Sequence, residues 1–170
     1  MKKIILGLTT LFVIIFIAWQ VQTGNKSEDN QEKIQVLKMG LIPADDAEEM
    51  LRNYEPVRNY LSEKLGIPVE IQVTSDYTAA IEAMRAKHID MAWFGPFSYI
   101  IAANVANAEA IVNGVRRGDG KSDYHSIIVV RTDSGIETLQ DLKGKKFAFV
   151  DPASTSGNLI PRKILIENGI

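Results

Sequence analysis

From Val36 onward the chain alternates short apolar runs with amphipathic stretches, and this alternation confines it to the α/β folds. Val36 to Leu41 is one apolar run, and Ile89 to Trp93 is another. Between them Val69, Ile71 and Val73 alternate with polar Glu70 and Gln72, as a half-covered strand requires. The first helical pattern opens with Asp45 or Asp46 as N-cap, with Glu48 and Glu49 at capping-box spacing, and reaches Leu65. Proline lacks an N–H and its ring collides with the preceding turn, so Pro56 predicts a short helical turn and then a second helix near Tyr54. Another helix has Asp76 as cap and Ala80, Ile81 and Met84 on one face; a third is expected from about Phe97 to Val105. Strands are expected near Ala110 to Val112 and over Ser126 to Arg131, the latter a β-branched run (IIVV) of the kind covered on both faces.

After Arg131 the pattern restarts. A short helix leads through Gly144 into a strand over Lys146 to Val150, then a turn and a helix closed by Asn168 and Gly169. One helix, one strand and one further helix cannot enclose a core of their own. Residues 132–170 are therefore expected to begin a second, incomplete α/β lobe, with residues 34–131 forming the first, and the sequence reads as part of a two-lobed protein.

Ahead of the folded region, Lys2 and Lys3 precede an uncharged apolar run from Ile4 to Val21. At ~1.5 Å per residue such a run covers about 27 Å, close to the hydrocarbon thickness of a bilayer. Residues 1–23 are thus expected to be a signal peptide or a retained N-terminal membrane anchor. Trp19 and Gln20, with no clean small-x-small cleavage site ahead of Thr23 and Gly24, fit the anchor better. Positive residues before the run put the rest of the chain outside the cytoplasm. Residues 24–33 (GNKSEDNQEK) have no apolar period and read as a polar tether. The absence of cysteine excludes a disulfide framework, a thiolate metal site, a cysteine nucleophile and lipid attachment at cysteine. A formal charge of −2 gives no basic field for nucleic acid.

The most informative turn is Asp151-Pro152-Ala153-Ser154-Thr155-Ser156-Gly157, set between an apolar strand and a helical pattern. Three consecutive hydroxyl residues at a helix start offer side-chain donors, backbone N–H groups and the positive end of the helix dipole to one anion. One hydroxyl could equally serve as an ordinary N-cap. Pro161 falls in the first turns of the following helix and predicts a short or kinked start. Trp93, Phe94, Gly95, Pro96 and Phe97 read as a strand turning into a helix, where α/β sheets expose ligand-facing loops. Trp93, Pro96 and Gly157 are weaker pocket candidates, and a packed aromatic corner accounts for Phe94 and Phe97 as well.

Enzyme chemistry finds no constellation. His88 lies in a polar KHID turn, and His125 has no carboxylate or serine pattern that would make a triad. Asp45, Asp46, Glu48 and Glu49 are explained by capping. Arg116, Arg117, Asp119 and Lys121, bracketed by Gly118 and Gly120, read as a solvated charged turn. No metal or cofactor is expected.

From Val36 onward the sequence resembles the periplasmic binding proteins for phosphonate and related phosphorus oxyanions. Four stretches carry the likeness: GLIPADD, SDYTAAIEAMRAKHIDMAWFGPFSY, YHSIIVVRTDSGI and, most specifically, LKGKKFAFVDPASTSG. The resemblance implies a type II binding-protein fold, two α/β lobes joined by a crossover strand and closing over the ligand. Site residues carried over from it are Ser154, Thr155 and Ser156 as anion donors, with Tyr77 and Tyr124 as further contacts. It further implies a solute-binding subunit of an ABC importer, taking a phosphonate, phosphite or phosphate-like oxyanion and delivering it to a membrane permease. The alternative is the ligand-sensing extracytoplasmic domain of a membrane signalling protein, a histidine kinase or cyclase, which the missing lipid cysteine and a retained anchor would suit.

Overall fold

Three parallel strands position everything else in the computed structural model, which describes residues 34–115, 118 and 120–170. They are β1 (Leu37–Leu41), β2 (Val69–Val73) and β3 (Met91–Trp93), in the order β2-β1-β3. Leu37 stands opposite Val69 and Leu41 opposite Val73 on one side; Met39 stands opposite Met91 and Leu41 opposite Trp93 on the other. Parallel neighbours require a crossover, and helices α1 (Ala47–Leu65) and α2 (Tyr77–Arg85) supply them. Helix α3 (Pro96–Ala106) follows β3. The chain divides after Ile34, so all these elements belong to the unit Gln35–Ile170. The segments expected as membrane anchor (1–23) and tether (24–33), and Arg116, Arg117 and Asp119 of the charged turn, lie outside the described residues.

Because β1 is paired on both sides, its side chains form the heart of the core. Met39 and Leu41 are 4% and 1% exposed and pack with Met50 of α1, while Tyr54, Ile71, Val73 and Met91 close around them. Burial pushes the Tyr54 phenol up from its ordinary pKa. Asp90 fixes the start of β3. Its carboxylate accepts from the Lys38 N–H at 2.9 Å, and its own N–H donates to the Lys38 carbonyl at 2.9 Å.

The helix ends follow the sequence signals. Asp46 is the N-cap of α1, its Oδ1 accepting from the N–H groups of Glu48 and Glu49 at 3.1 Å. The Asp46 N–H itself donates to Asp45 Oδ1 at 3.3 Å, so its acceptor is the preceding residue and not a glutamate at capping-box spacing. Asp76 caps α2 through the Ala79 N–H at 2.7 Å, and Ala80 and Ile81 are buried on the expected face. Gly66, at φ 68°, ends α1 in the left-handed conformation that glycine adopts without strain.

Four expectations are corrected. The break at Pro56 is absent, since α1 runs unbroken through it. Pro56 sits on the exposed side of the helix, where water can take the place of its missing N–H at the Arg52 carbonyl and the ring displaces no packed neighbour. The segments Ala110–Val112, Ser126–Arg131 and Lys146–Val150 are not strands. A strand exists only as part of a ladder, and among the described residues none runs alongside them. Ile127 and Val129 are accordingly 74% and 81% exposed. The Val150 N–H turns back to the Gly157 carbonyl at 3.0 Å.

The short helix before Gly144 is a 3₁₀ turn, Leu139–Leu142, with a capping box between Thr138 and Asp141. The hydroxyl and N–H of Thr138 hold the Asp141 carboxyl below the usual carboxylate range. Thr155–Leu159 forms a π-helical turn that runs into α4 (Ile160–Glu167), so the start is irregular, as Pro161 predicts. Asn168 caps α4 and Gly169 follows at φ 69°. Among the described residues no helix is long and apolar enough to cross a membrane.

Replacing Leu41 with alanine removes the most enclosed side chain of the central strand and is expected to cost about 3 kcal/mol in urea-unfolding measurements. Pro56→Ala restores a helix donor at a solvent-facing position and is expected to add about 1 kcal/mol by the same measurement.

Candidate functional site

Strands β2 and β3 both end toward one edge of the sheet, and each leads within a few residues to a helix start. β2 leads to Tyr77 at the first position of α2, and β3 leads to Pro96 at the first position of α3. The hydroxyl turn from the C-terminal segment is hydrogen-bonded to both starts.

Thr155 makes the shorter bond. Helix α3 begins with Gly95 as N-cap, which has no side-chain acceptor, and with Pro96, which has no N–H. Phe97 is thus the first residue of α3 with a backbone donor to satisfy. The Phe97 N–H donates to Thr155 Oγ1 at 2.8 Å. At α2 the Tyr77 N–H donates to Asp151 Oδ2 at 3.4 Å, while Asp151 Oδ1 accepts from the Ala153 N–H at 2.8 Å.

Within the turn, Ser154 is buried and acts as N-cap, its Oγ accepting from the Gly157 N–H at 3.2 Å. The capping role open to one hydroxyl therefore falls to Ser154. The N–H groups of Thr155 and Ser156 make no hydrogen bond among the described residues, nor does the Ser156 hydroxyl. The hydroxyls of Ser154 and Thr155 are acceptors in the bonds they make, so each keeps its proton to donate. Two adjacent free N–H groups and three hydroxyls at the start of a helix are a donor set without an acceptor, which suits an oxyanion.

The turn is braced from behind. Asn158, also buried, donates through Nδ2 to the Val150 carbonyl at 2.7 Å and accepts from Arg162 Nε at 3.2 Å. The Arg162 guanidinium lies over the Phe149 ring at 4.3 Å. Gly157 allows the close approach, because a Cβ there would meet Val150 Cγ2 at 2.4 Å and Cβ at 2.5 Å.

The remaining candidates are placed unequally. Tyr77 is half-buried beside the turn, with its backbone N–H already taken by Asp151. Tyr124 is exposed, but Ser126 two residues on donates to the Ser156 carbonyl at 2.6 Å, which draws its segment to the turn. Pro96 is exposed at the start of α3. Trp93 lies by Gly114, where an added Cβ would stand 2.9 Å from its ring, and no hydrogen bond brings it to the turn. Asp151, Asn158 and the Phe97 N–H were not singled out from sequence. Asp151 stood in the quoted motif, but nothing in a linear reading pairs it with a helix 74 residues earlier. Among the described residues no group of acidic, histidine or cysteine side chains could hold a metal ion.

A parallel sheet whose strand ends meet helix starts, with a donor-rich turn set against them, is the arrangement of an α/β anion-binding site. The comparisons with known proteins agree. The family described as "ABC transporter, phosphonate, periplasmic substrate-binding protein" matches residues 39–170, and the chain belongs to it. Among curated relatives, a phosphate-import protein of Mycolicibacterium smegmatis is 36% identical over 138 residues, covering 80% of this chain and 43% of the relative. A phosphonates-binding periplasmic protein of Escherichia coli is 33% identical over 135 residues, 77% of this chain and 40% of its own. The binding component of an ABC phosphonate transporter from Pseudomonas aeruginosa superposes with a TM-score of 0.74 at 28% identity, over 79% of this chain and 46% of that one. A Prochlorococcus marinus protein in complex with methylphosphonate gives 0.55 at 25% identity, over 80% of this chain and 51% of that one. The fold is thus that of the type II periplasmic binding proteins, and the chain spans less than half the length of the curated relatives it matches.

Gly157→Ala is expected to destabilise the turn by about 2 kcal/mol, because neither Val150 nor the turn backbone can give way cheaply. A double-mutant cycle with Val150→Gly, read by urea unfolding, should recover most of that loss.

Proposed function

We propose that this chain is part of the extracytoplasmic solute-binding subunit of an ABC importer, and that it captures a phosphonate, phosphite or phosphate-like oxyanion for a membrane permease. The observation that carries this reading is the donor set of the hydroxyl turn. The N–H groups of Thr155 and Ser156 and the hydroxyls of Ser154, Thr155 and Ser156 present hydrogens with no acceptor among the described residues. A tetrahedral phosphorus oxyanion has the charge and the several acceptor oxygens that such a set lacks. Tyr77 and Tyr124 serve as flanking contacts through their side chains, with Trp93, Pro96 and Gly157 contributing walls. Family membership and the methylphosphonate bound to the Prochlorococcus protein support this choice of ligand class.

Residues 34–131 are the first lobe and residues 132–170 open the second. Residues 4–21 tether the subunit to the outer face of the membrane, as a chain without a lipid-bearing cysteine would need.

Calorimetric titration of the complete protein's soluble region with methylphosphonate, 2-aminoethylphosphonate, phosphite and phosphate tests the proposal. At least one of the four should bind, and Ser154→Ala/Thr155→Ala/Ser156→Ala should weaken that binding more than about 100-fold through the loss of several charge-assisted hydrogen bonds. A folded wild type that binds none of them, or a triple variant that binds like wild type, would overturn it.

A further inference from the structure

Within the hydroxyl turn the helical register widens. The Leu159 N–H donates to the Ser154 carbonyl at 3.0 Å and the Ile160 N–H donates to the Thr155 carbonyl, each reaching back five residues instead of four. The next residue in the series is Pro161, buried in the first turn of α4 and without an N–H to give. A proline ring inside a helix also collides with the carbonyl four residues back, here that of Gly157. That carbonyl accepts the Val150 N–H at 3.0 Å instead. The Val150 carbonyl in turn accepts from Asn158 Nδ2 at 2.7 Å, so two consecutive turn residues hold both backbone groups of Val150. Arg162 Nε donates to Asn158 Oδ1 at 3.2 Å and thereby fixes which end of the amide faces Val150. Every partner lies within residues 150–162, so the arrangement is local and does not depend on the separation of the lobes.

We infer that Pro161 is a positioning residue for the oxyanion site, acting through the turn: by withholding one N–H it keeps the turn in the wide register and leaves the Gly157 carbonyl to Val150. The inference rests on the function proposed above. A wider turn rotates the chain by less per residue, so the consecutive hydroxyls of Thr155 and Ser156 point more nearly the same way than in an ordinary α-helical start. That convergence is what one tetrahedral anion needs from donors adjacent in sequence. With a donor at position 161, the bond to the Gly157 carbonyl that an α-helix calls for becomes available, in competition with Val150. The turn then tightens and its first donors diverge.

Pro161→Ala supplies the missing N–H. In the complete protein's soluble region it is expected to weaken binding of each oxyanion that the wild type takes, among methylphosphonate, 2-aminoethylphosphonate, phosphite and phosphate. The loss should be about tenfold, the scale of one well-placed hydrogen bond, and the same for each ligand because all use the same donors. Hydrogen exchange read by NMR separates this from a general loss of packing. The Val150 amide should exchange at least about tenfold faster than in wild type, while the Met39 and Leu41 amides of the central strand keep their rates. Pro161→Val supplies the same N–H with more of the buried side-chain volume kept, and it decides the matter if the alanine variant does not fold. Wild-type affinity in a folded variant overturns the inference, whatever the Val150 rate. Weaker binding with an unchanged Val150 rate also overturns it, because the loss then comes from the missing ring and not from the register. A wild type that binds none of the four refutes the oxyanion reading itself, and the Val150 rate then still reports whether Pro161 sets the register.

Discussion

The hydrogen bond from the Phe97 N–H to Thr155 Oγ1 is the contact on which the rest of the site depends. It exists because of a local deficit. Gly95 and Pro96 give α3 a start with neither a side-chain acceptor nor a first N–H, so the helix must find its acceptor elsewhere. The sheet decides where that start lies. With β1 in the centre and β2 and β3 parallel to it, the ends of the outer strands point the same way and deliver Tyr77 and Pro96 to one edge. A turn that meets both must carry two acceptors a few residues apart, and Asp151 and Thr155 are those.

The arrangement separates two tasks that one turn could not easily perform with backbone alone. Side-chain acceptors face the helices and bind the turn to them, while the N–H groups of Thr155 and Ser156 stay uncommitted. Behind them Asn158 and Arg162 hold the turn to Phe149 and Val150, and Gly157 lets it lie close enough for those bonds to form. The π-helical geometry of Thr155–Leu159 belongs to the same design, since it begins at a buried Ser154 whose hydroxyl is an internal cap.

Much of this was legible in the sequence, and the exceptions share a cause. Asp46 and Asp76 as caps, the alternation of Val69, Ile71 and Val73, and the helix over Phe97 all depend on neighbours within a few residues, which a linear reading sees. The hydroxyl turn was visible as a candidate for the same reason. What could not be read were properties set by distant partners. Whether IIVV becomes a strand depends on a neighbouring ladder, and whether Pro56 breaks α1 depends on which side of the helix faces water. That Asp151 reaches Tyr77 depends on a fold that brings together residues 74 positions apart. The resemblance to phosphonate-binding proteins supplied Tyr77 and Tyr124, which spacing alone would have left as unremarkable aromatics.

The bare β-branched face at Ile127 and Val129 has a consequence for how such a protein must be handled as it is made. Alternating apolar side chains beside unpaired backbone groups form a template that any other extended chain can join. For as long as such a segment stays uncovered while a chain folds, intermolecular pairing competes with folding. Speed of completion, or a chaperone that shields the segment, then governs yield as much as the stability of the finished fold.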